Sequence, residues 1–184
     1  YDMVVHTIPP VRVDSIVIHS GTHTHLGANA PQGELILKAS PRVAKNIACI
    51  VKPQDQETIL HVQDFGTSQS YLSGTYDLEI LTLPRIIQKG IHIKASASTT
   101  IAVPPPGMVT IQTGVSGYGA VFVQRETGYE WVIDLSESSE RQVIQLQPGQ
   151  YKVVFRSKFA QETGYSKNKE FRVSPGSSTI VKIN

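Results

Sequence analysis

The sequence contains little of the chemistry that most specialised functions require. A single cysteine stands among 184 residues, so an internal disulfide is excluded. No stretch approaches the roughly 20 consecutive apolar residues of a membrane-spanning helix, and no signal peptide is evident. Charged residues make up 17% of the chain and nearly cancel to +2, without a basic run among aromatic rings. The composition therefore predicts neither a membrane-spanning helix nor a nucleic-acid-binding surface.

Motifs of catalysis are also missing. The chain has no nucleophile-elbow pattern around a serine and no glycine-rich phosphate loop. The closely spaced carboxylates at 55–57 and 137–140 fall in polar segments, where solvated turn residues are expected. Cys49 lies in the apolar run 47–51, which predicts a small buried thiol and not a nucleophile. The sequence therefore predicts a protein that is not an enzyme and needs no cofactor.

What the sequence does contain is an internal repeat. Tyr1 and Asp2 recur 75 positions later as Tyr76 and Asp77, and Tyr151 begins a third copy at the same interval. Repetition at this spacing indicates an array of similar small domains. Arrays of this kind usually serve as spacers or present binding surfaces.

Each repeat unit is predicted to be a β-sandwich. Apolar residues alternate with period two through most of the chain, and prolines and glycines fall between the alternating stretches. Seven short strands per unit suit two packed sheets. The predicted strands are 34–38, 47–52, 58–63, 70–72, 76–82, 91–94 and 99–103 in the first unit, and 108–113, 119–124, 129–135, 142–146, 150–157, 169–174 and 178–183 in the second.

The position of Tyr1 predicts where the units begin and end. Tyr1 falls where Tyr76 and Tyr151 fall, late in a unit. We therefore expect residues 1–26 to be the terminal strands of a preceding unit, 27–103 to be unit 1 and 104–184 to be unit 2. Strands without a sandwich of their own need a partner, so residues 1–26 are predicted to add to the edge of unit 1 or to pair in a homodimer.

One phrase recurs in the units and resembles a known family. In the last copy, Pro148-Gly149-Gln150-Tyr151 opens an alternating strand, which is followed by Phe171-Arg172-Val173 and by Gly176 and Thr179. This phrase resembles the prealbumin-like sandwiches, among them carboxypeptidase regulatory-like and collagen-adhesin B-type repeats. The expected fold class is therefore all-β, a tandem of seven-stranded antiparallel sandwiches of the prealbumin-like or immunoglobulin-like kind.

The same ending also looks like the C-terminal region of Bacteroidetes proteins that carry a von Willebrand factor A domain upstream. This resemblance implies a spacer or protein-interaction region of a larger bacterial envelope or surface protein. Such a region would be secreted, periplasmic or at the cell surface, and its partner would be a protein or an envelope component.

A histidine cluster provides the only pattern with metal-ligand chemistry. His23 and His25 stand two apart, so on a strand they would share a face, and His19 would join them if Gly21 turned the chain back. The corresponding stretch of the next unit, 94–100, has no histidine. The fold therefore does not require these histidines, and an exposed polar hairpin is the interpretation that we favour over a metal site.

Aromatic residues are concentrated in the second unit, at Trp131, Tyr129 and Tyr118. An exposed group of such rings would bind sugars by stacking, and a carbohydrate-binding module is therefore the alternative function. Strict alternation instead places Tyr129 and Trp131 on one face with Ile133 and Leu135. The alternation thus favours a core role for these rings.

Overall fold

The structure is a computed structural model that describes residues 1–38, 47–160 and 166–183. Within these residues all regular secondary structure is β-strand, and no helix there is long and apolar enough to cross a membrane. The described residues fall into two compact units. Unit 1 contains 1–38, 47–81 and 87–103, and unit 2 contains 82–86, 104–160 and 166–183.

The strands of each unit follow one another in the same pattern. Unit 1 starts with a short hairpin of β1 (Met3–Val5) and β2 (Val11–Val13). It continues with β3 (Gln32–Lys38), β4 (Ala48–Pro53), β5 (His61–Asp64), β6 (Ser68–Leu72), β7 (Gly74–Ile80), β8 (Ile86–Ile93) and β9 (Ser98–Ala102). Unit 2 contains β10 (Gly107–Gln112), β11 (Gly117–Arg125), β12 (Gly128–Asp134), β13 (Arg141–Leu146), β14 (Gly149–Ser157), β15 (Lys167–Val173) and β16 (Ser178–Lys182).

The two sets of seven strands have identical topology. A three-stranded sheet has the order β6-β3-β9 in one set and β13-β10-β16 in the other. A four-stranded sheet has the order β5-β4-β7-β8 in one and β12-β11-β14-β15 in the other. All fourteen strands overlap the ranges that the alternation of the sequence predicts, although β8 begins five residues before its predicted range and β5 begins three residues after its predicted range. The prediction of an all-β sandwich fold is confirmed.

One pair of strands in each sandwich is parallel, although the fold is otherwise antiparallel. The first strand β3 runs parallel to the last strand β9, with Glu34 opposite Ser98 and Lys38 opposite Ala102. In the second sandwich β10 runs parallel to β16 in the same manner. The parallel pairs arise because the first and last strands lie side by side in the three-stranded sheet, with five other strands between them in the sequence.

The core of each sandwich lies between its two sheets. In unit 2 one cluster joins side chains of both sheets: Val109, Ile111, Val121, Val123, Val132, Leu135, Leu146, Tyr151, Val153, Phe155, Val173, Val181 and Ile183. Alternate positions of a strand point to one face, and each strand contributes between one and three of these residues. Burial of this apolar surface is the main favourable term in the folding of such a domain.

A tyrosine fixes the same corner in both sandwiches. Tyr151 is buried, and its hydroxyl donates a hydrogen bond of 2.6 Å to the carbonyl oxygen of Gln147. Tyr76 donates in the same way to the carbonyl of Leu72, at 2.7 Å. The recurring Gly-x-Tyr phrase is thus a structural element, because the ring fills the core while its hydroxyl satisfies a carbonyl of the preceding turn.

Cys49 is a buried thiol, as the apolar run around it predicts. None of its surface is exposed, and burial raises the pKa of the thiol to about 12. Next to it in the core lies a polar contact: Tyr71 donates to Gln63 at 3.0 Å, and Gln63 donates to the carbonyl of Leu35 at 3.0 Å. The thiol therefore stays protonated at neutral pH, and the neighbouring polar groups are satisfied.

Residues 1–26 do not extend either sheet of the adjacent sandwich. Strands β1 and β2 pair with each other, with Met3 opposite Val13, and they form a sheet of two strands. The contact with the sandwich is made by the connecting loop, where the amide of Leu72 donates to the carbonyl of Ile8 at 2.8 Å. The prediction that these strands add to the edge of unit 1 is therefore wrong. The strands β1 and β2 pair with each other, and a loop contacts the sandwich in their place.

Candidate functional site

Strand β12 carries an extra residue that changes which side chains reach the surface. Phe122 of β11 lies opposite Trp131, whereas the preceding residue Val121 lies opposite Ile133. Val132 is therefore a β-bulge, and its side chain belongs to the core, with 6% of its surface exposed. Trp131 takes the outer face and is 56% exposed.

This bulge explains where the sequence prediction of a core face holds and where it fails. Leu135 is buried and Ile133 packs against the core, as predicted. For Tyr129 and Trp131 the prediction is wrong. An inserted residue reverses the face on which every later position of the strand lies, so alternation cannot be extrapolated across it.

The structure brings the three aromatic candidates to one outer face. Tyr118, Tyr129 and Trp131 are 45%, 44% and 56% exposed, and all three lie on the four-stranded sheet of unit 2. Tyr118 borders a groove of about 470 Å³ with Ala120, Phe122 and Val154 among its other lining side chains, and Trp131 lies opposite Phe122 on the neighbouring strand. We call this surface the aromatic face. It combines an apolar floor with ring edges and polar groups around it.

Two of the rings are held in place by hydrogen bonds. The indole nitrogen Nε1 of Trp131 donates to Asp134 Oδ1 at 2.9 Å. The hydroxyl of Tyr129 donates to Glu170 Oε1 at 2.7 Å, and this hydrogen bond raises the pKa of Tyr129. Lys152 Nζ lies 5.0 Å from the centre of the Tyr129 ring and 4.0 Å from Glu170. The rings are thus oriented before any ligand arrives, which lowers the entropy cost of binding.

The third ring lies among cations. Arg156 and Lys158 approach the Tyr118 ring, at 5.9 Å and 5.6 Å from its centre. Lys158 also forms an ion pair of 3.3 Å with Glu137. Cations at these distances are attracted to the negative face of the ring. Tyr118 is therefore positioned by charge, as the other two rings are by hydrogen bonds.

The supporting residues were not found by sequence reasoning. Only Asp134 is close in sequence to the ring that it supports, since it stands three residues after Trp131. Arg156, Lys152 and Glu170 carried no local signal, because they meet the rings through strand pairings that a single sequence does not specify.

In the described residues of unit 1, the position that corresponds to Trp131 holds an aliphatic residue. Val62 lies opposite Ile50 in that sheet, where Trp131 lies opposite Phe122 in unit 2. The ladder of β4 and β5 is regular, without a bulge, from Ala48 to Val51. The same architecture therefore exists with and without the aromatic face, which shows that the fold alone does not require these rings.

The histidine cluster does not assemble in the structure. His19, His23 and His25 lie in a segment without strand, and all three are exposed. No group of three or more metal-ligating side chains gathers anywhere in the described residues. The strand on which His23 and His25 were expected to share a face is missing. A metal ion at these residues remains a sequence prediction.

Comparison with known proteins gives limited likeness. No protein-family model matches the chain, and no curated protein matches it. Among solved structures, the TIE protein of Bacillus anthracis is 14% identical with a TM-score of 0.31, and the match covers 83% of this chain and 33% of that one. The pilus adhesin SpaC of Lactobacillus rhamnosus GG is 8% identical with a TM-score of 0.27, over 83% and 31% of the two chains.

The chain thus spans about a third of the length of each of these structures. At TM-scores this low, the likeness carries no conclusion about function.

Proposed function

We propose that this chain is a non-enzymatic tandem β-sandwich module of a larger bacterial envelope or surface protein. In this proposal unit 1 serves as a spacer and unit 2 makes the binding contact through the aromatic face. The observation that carries the proposal is the exposure of Trp131, Tyr129 and Tyr118 on one sheet face. A group of exposed rings on one face is characteristic of an interaction site.

We propose a carbohydrate as the ligand of the aromatic face. Sugar rings have one apolar face and a rim of hydroxyl groups, which suits an apolar floor bordered by carboxylates. The groove supplies both, with Phe122 and Val154 in its lining and Asp134 and Glu137 beside them. A protein partner or another envelope component remains the second candidate, because aromatic residues are also enriched at protein interfaces.

A glycan array followed by titration tests this function. We expect the chain to bind a subset of glycans, and Trp131→Ala to weaken the binding by roughly 30-fold, because truncating a central aromatic contact costs about 2 kcal/mol. The matched control is Ile180→Ala, which truncates an exposed apolar side chain on the other sheet of unit 2 and should leave affinity unchanged. Equal glycan affinity of the wild type and Trp131→Ala would exclude the aromatic face as the binding site.

A homodimer through residues 1–26 is also part of the proposal. Among the described residues, strand β1 pairs with β2 only, and Val4 and Tyr1 are 41% and 81% exposed. An open strand edge with exposed apolar side chains favours pairing with another strand. Light scattering is expected to show a dimer for the full chain and a monomer once residues 1–26 are removed. A monomer in both samples would contradict the dimer.

The upstream von Willebrand factor A domain, and an origin in Bacteroidetes, likewise remain proposals from the resemblance of residues 146–177. They concern the parent protein and do not alter the function proposed for this chain.

A further inference from the structure

Arg156 lies in the groove of the aromatic face without an acidic partner. Arg156 is one of the residues that line the groove, and its guanidinium carbon lies 5.9 Å from the centre of the Tyr118 ring. In the part of the chain that the structure describes, no carboxylate lies within ion-pair distance of it. The residue is only half exposed. A partly buried guanidinium retains five donors that a ligand can use.

The other charges around this face are already compensated. Lys158 pairs with Glu137 at 3.3 Å, and Lys152 lies 4.0 Å from Glu170. Arg125 pairs with Glu130 at 3.1 Å. Asp134 accepts the indole hydrogen of Trp131 through one oxygen. Arg156 therefore differs from its charged neighbours, since it is the cation of the groove that a ligand would have to neutralise.

The groove also has opposite charges on its two sides. Arg156 of β14 lies opposite Tyr118 of β11, and two residues along the ladder Val154 lies opposite Ala120. Asp134 lies opposite Ala120 on the other side, across the floor from β14. A ligand in the groove would therefore meet a cation at one strand and a carboxylate two strands away, with apolar side chains between them.

From this arrangement we infer that the ligand is an acidic saccharide. Its carboxylate or sulfate group pairs with Arg156, because a guanidinium binds both kinds of oxyanion through two parallel hydrogen bonds. The apolar face of the sugar ring lies over Phe122 and Val154, and a hydroxyl group donates to the second oxygen of Asp134. This inference rests on the proposed carbohydrate function and specifies the class of sugar.

The test compares oligosaccharides of one backbone in neutral, carboxylated and sulfated forms, titrated against the whole chain at 150 mM salt. We expect at least one acidic form to bind roughly tenfold or more tightly than the neutral form, as hydrogen bonds to charged groups allow. Arg156→Gln should abolish that preference and leave the affinity for the neutral form unchanged. The difference between the carboxylated and sulfated arms identifies the anionic group.

A matched variant separates local recognition from general charge. Arg172→Gln removes the same charge from the neighbouring strand β15, where the residue lies opposite Gln150 and away from the groove. It should retain the preference for the acidic form. Loss of the preference in both variants would show nonspecific attraction and overturn the inference, as would equal affinity for neutral and acidic forms.

The outcomes also distinguish this inference from the function on which it rests. Binding of neutral and acidic sugars with equal affinity, still weakened by Trp131→Ala, would overturn the acidic ligand and keep the carbohydrate function. Failure of every saccharide to bind would overturn both.

Discussion

Replacing Gly33 by alanine is expected to destabilise unit 1 by about 3 kcal/mol, at the upper end of the usual cost of overpacking. A Cβ atom at this position would lie 2.1 Å from the carbonyl oxygen of Lys94 and 2.8 Å from a methyl carbon of Ile93. Neither distance is tolerated, and the carbonyl belongs to the backbone. The first strand would have to move away from the turn that joins β8 and β9.

Gly27→Ala is the matched control for this substitution. A Cβ atom at Gly27 would meet no other atom within 4 Å. We expect the free energy of unfolding of this variant to lie within about 0.5 kcal/mol of the wild-type value, as is usual for surface substitutions. Urea unfolding followed by far-ultraviolet circular dichroism measures both variants. Coincident unfolding curves for Gly33→Ala and Gly27→Ala would show that the close approach has no energetic consequence.

The second large effect is expected at the repeat tyrosine of unit 2. Tyr151→Ala should cost about 4 kcal/mol of unfolding free energy, because it leaves a cavity where a large ring is buried. The lost ring also stacks on Phe171, with centroids 5.6 Å apart. Tyr151→Phe should cost about 1 to 2 kcal/mol, since it keeps the ring and leaves the carbonyl of Gln147 without its donor.

The repeat supplies the control for this experiment. Tyr1 occupies the equivalent position of the sequence, but 81% of its surface is exposed. Tyr1→Ala should therefore change the unfolding free energy by less than about 0.5 kcal/mol. The same denaturation measurement applies. If Tyr1→Ala lowered the free energy of unfolding as much as Tyr151→Ala does, the tyrosine would stabilise the fold for a reason other than burial.

The strands could be predicted from the sequence because each sheet has one buried face. Alternation then identifies a strand such as β14, where Tyr151, Val153 and Phe155 point inward, and the Pro-Gly pair before it marks the turn. The order of strands in a sheet does not follow from alternation. The parallel pairing of β3 with β9 depends on which strands meet after the chain has crossed between the two sheets four times.

The candidate site was predictable only in part. Residue type alone pointed to Trp131, Tyr129 and Tyr118, yet their exposure depended on a single extra residue at Val132. Periodicity cannot locate this bulge, because Val132 is apolar and so are its neighbours Trp131 and Ile133. Arg156 was not identifiable at all, since its significance lies in the lack of an acidic partner among the described residues, which only the packing reveals.

The parallel pairing of first and last strands has a mechanical consequence for unit 1, which we propose as a spacer. In unit 1, β3 and β9 pair in one direction from Glu34 opposite Ser98 to Lys38 opposite Ala102. The strand that enters the sandwich and the strand that leaves it therefore have their outer ends at opposite ends of one ladder. Tension applied through the two ends of the sandwich would load all the hydrogen bonds of that ladder together, in shear, and would not open them one at a time.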